Sequence, residues 1–245
     1  MAKFFSDAFV VFEMEMRKIR AWGPIYFFSI VLVPIGTLLF AKALTPPGSG
    51  DLVATRLMTG SLVFGIGIMT VNNLAQLMAM ERFQHMLKLI ITSPIHPLSY
   101  GLGVVLFAVA QGMLTAGIIL SFAPVFGIGI HLNFWLIPVL ALTSLSMTGM
   151  GIVIATWSPT AEISNMLANT AGILLTMLSP VYYPIERLPH WLRWAARMSP
   201  YTHAGQAVDA ILSGRGGFAH ESLILLAITA VGLTLGARGL RWRER

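Results

Sequence analysis

Cysteine is absent from this 245-residue chain, which excludes disulfides and thiolate metal sites. Charge is nearly as scarce: Asp, Glu, Lys and Arg make up 11% of residues, against about a quarter in an average soluble domain. Hydrophobic residues reach 56% and the mean hydropathy is +0.77. So thin a solvating surface makes sense when lipid, not water, is the main solvent. Other absences narrow the chemistry. No charged residue falls in the middle of an apolar run. Such a group costs ~2.5–3.5 kcal/mol at the bilayer centre and is retained for a purpose, such as carrying protons across. The chain therefore lacks a charge relay of its own. None of Lys3, Lys18, Lys42 or Lys88 follows a glycine, so there is no G-x-x-x-x-G-K-S/T phosphate loop. No G-x-S-x-G nucleophile turn occurs, and the six histidines form no H-x-x-x-H or H-E-x-x-H pair. The sequence carries no catalytic motif, no cofactor site and no zinc site.

What is present is apolar and long. About 20 residues of helix cross the hydrocarbon core, and six runs approach or exceed that length: 24–44, 57–80, 98–122, 134–157, 163–183 and 218–237. They predict an all-α integral membrane protein with six transmembrane helices in a single domain, 1–245. The net charge of +6 would suggest nucleic acid in a soluble protein. Here the basic residues flank the runs: Lys3, Arg17, Lys18 and Arg20 before the first, and Arg238, Arg241, Arg243 and Arg245 after the last. That is the positive-inside pattern and not a nucleic-acid groove, and it predicts both termini on the cytoplasmic side.

Residues 1–22 have a pattern of their own. Phe5, Phe9, Phe12, Met16 and Ile19 recur at four- and three-residue steps, and Glu13 and Arg17 form an i,i+4 pair in the favourable order. This predicts an amphipathic helix lying in the membrane interface. The length and acidic residues of this segment also argue against a cleaved signal peptide. Residues 81–97 form a cytoplasmic connection. Residues 184–217 form an external one, holding two short helices that open on Pro189 and Pro200, with Ser199 as N-cap of the second. Neither can span, so both are expected to be re-entrant or interfacial, with Trp191 and Trp194 suited to that depth.

Polar side chains fall in helical register on two runs. Asn165, Asn169, Gly172 and Thr176 form one stripe, and Asn72 or Asn73 with Gln76 a shorter one. They read either as the lining of a translocation path or as glue between helices, where such hydrogen bonds contribute ~0.6 kcal/mol each. Ala108, Gly112 and Ala116 form a small-residue ladder for close helix packing, with similar character at Thr148 and Gly151.

Two segments resemble the membrane (permease) subunits of type-2 ABC exporters. In ERFQHMLKLIITSPIHPLSY, residues 81–100, the matching positions are Glu81, Arg82, Leu87, Thr92, Pro94 and Pro97; it is similar to that family's coupling segment. It departs at His85 and Met86, where many members have Gly-Thr. In residues 178–214, Ser179, Pro180, Pro184, Leu188, Pro189, Ser199, Pro200, Thr202, Ala207 and Leu212 match the family's signature before the last span; Gln206 and Asp209 depart from it. The resemblance covers essentially the whole chain. It implies two permease subunits, as a homodimer or heterodimer, around a central path lined by the second and fifth spans. It also implies two copies of an ABC ATPase beneath them, carrying ATP and Mg. Phe83, Leu87 and Ile90 share a face suited to that partner, with Arg82 and Lys88 able to meet its acidic rim. The function implied is outward movement of an amphipathic drug-like molecule, lipid or lipid-linked glycan across a prokaryotic plasma (inner) membrane. A non-transporting scaffold of the same fold and an intramembrane enzyme are the alternatives.

Overall fold

The computed structural model describes residues 2–21, 23–43, 51–83, 95–126, 133–183, 185 and 188–239. Among them the structure is helical, with no strand. Helix α1 (Ala2–Ala21) is followed by α2 (Pro24–Ala43). α3 (Asp51–Gly67) runs through a π-helical turn, Ile68–Asn72, into α4 (Asn73–Phe83). α5 (Pro97–Phe122) tightens into a 3-10 turn at Ala123–Phe126. Then come α6 (Leu136–Trp157), α7 (Ala161–Leu178), the short α8 (His190–Met198) and α9 (Pro200–Leu212), and α10 (Phe218–Gly239).

The boundaries have local causes. Gly23, at φ 75°, separates α1 from α2 in a conformation that other residues rarely adopt. The Thr160 hydroxyl accepts from the Ile163 N–H at 3.2 Å and so starts α7. Ser179-Pro180 ends it at Leu178, short of the 183 that hydropathy suggested, because proline cannot continue a helix.

Among the described residues, four stretches are long and apolar enough to cross a membrane, by length and composition: Val53–Glu81, Pro97–Val125, Leu136–Trp157 and Phe218–Gly239. The other two runs are also built on helices, α2 and α7. Asn165, Asn169 and Glu162 make α7 too polar to qualify.

α6 is the centre of the bundle and packs against α10, α5, α4 and α9. Its contact with α10 is a glycine-to-glycine approach: a Cβ on Gly149 would lie 3.4 Å from the Gly232 Cα. Gly232-x-x-x-Gly236 presents the smooth face that lets the backbones meet there. In the small-residue ladder on α5, Gly112 sits against Ser144 and Thr70.

α1 lies along α5 with Ala8, Val11 and Glu15 buried, while Phe5, Phe9 and Met16 are exposed. Glu13 and Arg17 pair at 2.6 Å on an exposed flank, where such a pair adds only a few tenths of a kcal/mol. The docking depends on Gly103, where a Cβ would stand 2.6 Å from the Ala8 carbonyl oxygen. Gly103→Ala is therefore expected to lower stability by about 1–3 kcal/mol through overpacking against backbone. Gly101→Ala, which meets open space on the same helix, should leave the melting temperature unchanged or raise it.

Candidate functional site

The polar residues of α7 and the π turn meet. Asn169 Nδ2 donates to Asn165 Oδ1 at 2.9 Å, and Asn72 Nδ2 donates to Asn169 Oδ1 at 2.7 Å. Three amides thus form a chain from α7 to the α3–α4 helix, with Asn169 exposed along its flank. Beyond them the Thr176 hydroxyl is buried and donates to the Gly172 carbonyl at 2.7 Å. The π turn adds a residue to one helical turn and resets which side chains face α7. Asn72 reaches across, whereas Asn73 turns back to the Met69 Sδ at 3.6 Å on its own helix. Gln76, one turn further, is half-buried.

Gly172 leaves room where other groups converge. A Cβ there would be 3.8 Å from the Tyr201 hydroxyl and 4.0 Å from Asn72 Oδ1. Both atoms are buried and without a hydrogen-bond partner among the described residues. The surface beside them is apolar, with Met166, Ile173, Leu174 and Met177 exposed on α7. The arrangement offers neutral donors and acceptors next to an apolar face.

Residues 179–202 tie the short helices to this site. The Ser179 and Ser199 hydroxyls are 2.9 Å apart, Ser199 Oγ accepts from the Tyr201 N–H at 3.3 Å, and the Thr202 hydroxyl donates to the Ala196 carbonyl at 2.5 Å. Pro189 caps α8, Pro200 opens α9, and Pro180 follows α7. Pro184 lies outside the described residues. α9 is buried along most of its length against α3, α6 and α10, whereas α8 exposes Trp191, Trp194 and Met198. His203 braces the assembly: Nε2 is 2.7 Å from the Arg197 carbonyl and Nδ1 2.7 Å from a Glu221 carboxylate oxygen.

A second polar cluster sits where α1, α4 and α5 meet. Lys18 Nζ donates to Glu15 Oε1 at 2.7 Å and also to Glu81 Oε1, while the Tyr100 hydroxyl donates to Glu81 Oε2 at 2.5 Å. Glu15 and Tyr100 are wholly buried and Glu81 nearly so. Burial, then the charge of Glu81, pushes the Glu15 carboxyl up to about 7. Burial opposes the charge on Lys18, but its hydrogen bonds to Glu15 and Glu81 outweigh that and hold its pKa above the ordinary value. Of the residues expected at an ATPase contact, Glu81 is turned inward to this cluster, and Phe83 is exposed at the end of α4. Leu87, Lys88, Ile90 and the side chain of Arg82 lie outside the described residues.

Sequence reading missed Tyr201, His203 with Glu221, and the pairing of Glu15 with Glu81. The available signal was position: two acids and a lysine just outside apolar runs. Among the described residues no group of three His, Asp or Glu could hold a metal.

Long apolar helices with an uncharged polar patch beside an apolar face define a helical multi-pass membrane protein. The family model of the ABC-2 type transporter matches residues 15–212, and the chain belongs to that family. It is thus the permease domain of an ABC transporter, a membership that implies an ABC ATPase subunit as partner. No curated protein matches the chain in sequence.

Proposed function

We propose that the chain is an exporter permease, moving an amphipathic drug-like molecule, lipid or lipid-linked glycan outward with energy from two copies of the ATPase. The reading places six spans in a prokaryotic inner membrane, adding α2 and α7 to the four longer stretches, with both termini cytoplasmic. α1 lies in the interface through Phe5, Phe9 and Met16, and α8 and α9 are re-entrant. Two permease chains, identical or different, flank the path, and ATP and Mg belong to the ATPase.

The observation that carries this reading is the amide chain Asn165–Asn169–Asn72, exposed at Asn169, beside an apolar surface on α7. Such a surface suits an amphiphile better than a polyanion, which would call for a charged ring. The test is substrate-stimulated ATPase activity of the reconstituted permease–ATPase pair. Asn169→Leu is expected to change the stimulation profile while the melting temperature stays within a few degrees, since the lost hydrogen bonds contribute ~1 kcal/mol or less. A lowered melting temperature with an unchanged profile would assign the amides to helix packing. The Asn72–Asn169 bond is the observation favouring that second reading.

Coupling is proposed to pass through residues 81–97. Phe83 supplies an exposed apolar contact at the end of α4, while Glu81 holds that end to α1 and acts on the partner only through position. Phe83→Asp is expected to reduce co-purification of the ATPase severalfold, because a charge enters an apolar contact. Unchanged complex yield and unchanged transport would place the docking surface elsewhere.

A further inference from the structure

A cavity of about 180 Å³ opens between the start of α3, the turn after α7 and the middle of α9. It is smaller than the ~300–1,000 Å³ typical of clefts for drug-sized ligands, so it suits a headgroup-sized moiety. Its polar lining is unusual for this chain. Arg56 and Asp209 both line it, with Gln206, and Val181 and Ile185 supply apolar wall. Arg56 is partly buried and has no ion pair or hydrogen bond among the described residues. A guanidinium in that state calls for an anion, and its planar fork matches phosphate.

Asp209 is half committed. One carboxylate oxygen pairs with the exposed Arg215, while the other, Oδ1, is buried without a partner among the described residues. It can therefore take a further N–H donor. Tyr183 donates its hydroxyl to the Met177 carbonyl at 2.5 Å, so what it offers the cavity is its ring, a surface attractive to a cation. Position supplies the next constraint. Arg56 lies within the first turn of the membrane-crossing stretch Val53–Glu81, about 4.5 Å along the helix from its start. That is headgroup depth, beside acyl chains.

We propose that this cavity binds the headgroup of a zwitterionic phospholipid bearing a primary ammonium, its phosphate on Arg56 and its ammonium toward Asp209 and the Tyr183 ring. The lipid chains leave through the open side, along the apolar wall. The site is separate from the amide chain on α7. It rests on membrane insertion alone, so its failure leaves the transport reading untouched.

The test uses the full chain, stripped of lipid in a neutral detergent. It is titrated with short-chain phosphatidylethanolamine, phosphatidylglycerol and phosphatidylcholine, and with water-soluble glycerophosphoethanolamine, binding being read by native mass spectrometry. The ethanolamine lipid is expected to bind best. Arg56→Gln should weaken it about tenfold or more, as loss of a charge-assisted contact does. Asp209→Asn gives an independent reading: the preference for ethanolamine over glycerol headgroups should vanish while phosphate binding persists. Equal binding of the ethanolamine and glycerol lipids to the unaltered chain overturns the proposal, as does unchanged selectivity in Asp209→Asn. Binding of the water-soluble ester as tight as that of the lipid overturns the assignment to lipid and makes the ligand a free phosphate ester.

Discussion

Lys18→Met is expected to cost about 3–5 kcal/mol of stability, because it removes the ammonium that pairs with two buried carboxylates, Glu15 and Glu81. The side chain that replaces it is apolar and of similar length, so packing is largely kept and the effect is electrostatic. Glu15 and Glu81 would then face each other, and the pair could be relieved only by taking up a proton. The loss should therefore be larger at pH 8 than at pH 5.5. Adding Glu81→Met to Lys18→Met removes the acid on α4 and leaves Glu15, whose carboxyl can stay protonated below about 7. At pH 5.5 the double variant is expected to recover most of the stability, since the Lys18–Glu81 ion pair is then replaced by apolar groups, a change that is often close to neutral. Melting curves of the four proteins in detergent give the coupling directly. Additive losses would show that Lys18 does not join α1 to α4.

The unaltered protein is expected to lose stability as pH rises from 4.5 to about 7. The sign follows from Glu15, whose carboxyl is raised from 4.5 to about 7 by burial and by Glu81. Between those values the folded chain holds a proton that the unfolded chain has released, so each rise in pH favours unfolding. Below 4.5 both states are protonated, and above about 7 both are ionised, so the dependence levels off at each end. At ~1.4 kcal/mol per unit, the fall across the window is roughly 3 kcal/mol. Glu15→Gln, which keeps the shape and cannot ionise, should flatten the profile. A slope that survives in Glu15→Gln would place the titrating group elsewhere. The same cluster fixes α1 to the base of α4, directly before residues 81–97. Movement there is thus tied to α1 as well as to the helix above it.

Much of this protein was written in its apolar runs. Lipid demands helices with their backbones satisfied internally, so the all-helical class followed from hydropathy alone. Ser199-Pro200 announced the start of α9 because capping is a local event between neighbours, and the hydroxyl does accept the Tyr201 N–H. The stripe Asn165–Asn169 was likewise legible, since helical periodicity puts residues four apart on one face. What lay beyond reach depended on distant segments meeting. Nothing in the spacing of Asn72 and Asn73 said which would turn to α7; the π turn decided that by shifting the register of one helix. Gly103 and Gly232 are unremarkable until Ala8 and Gly149 close on them. Glu15 and Glu81 are 66 residues apart and each reads as an ordinary surface acid. Only packing of α1 against α4 and α5 buries them on a shared lysine, because the cost of desolvating a charge is set by the neighbours that surround it.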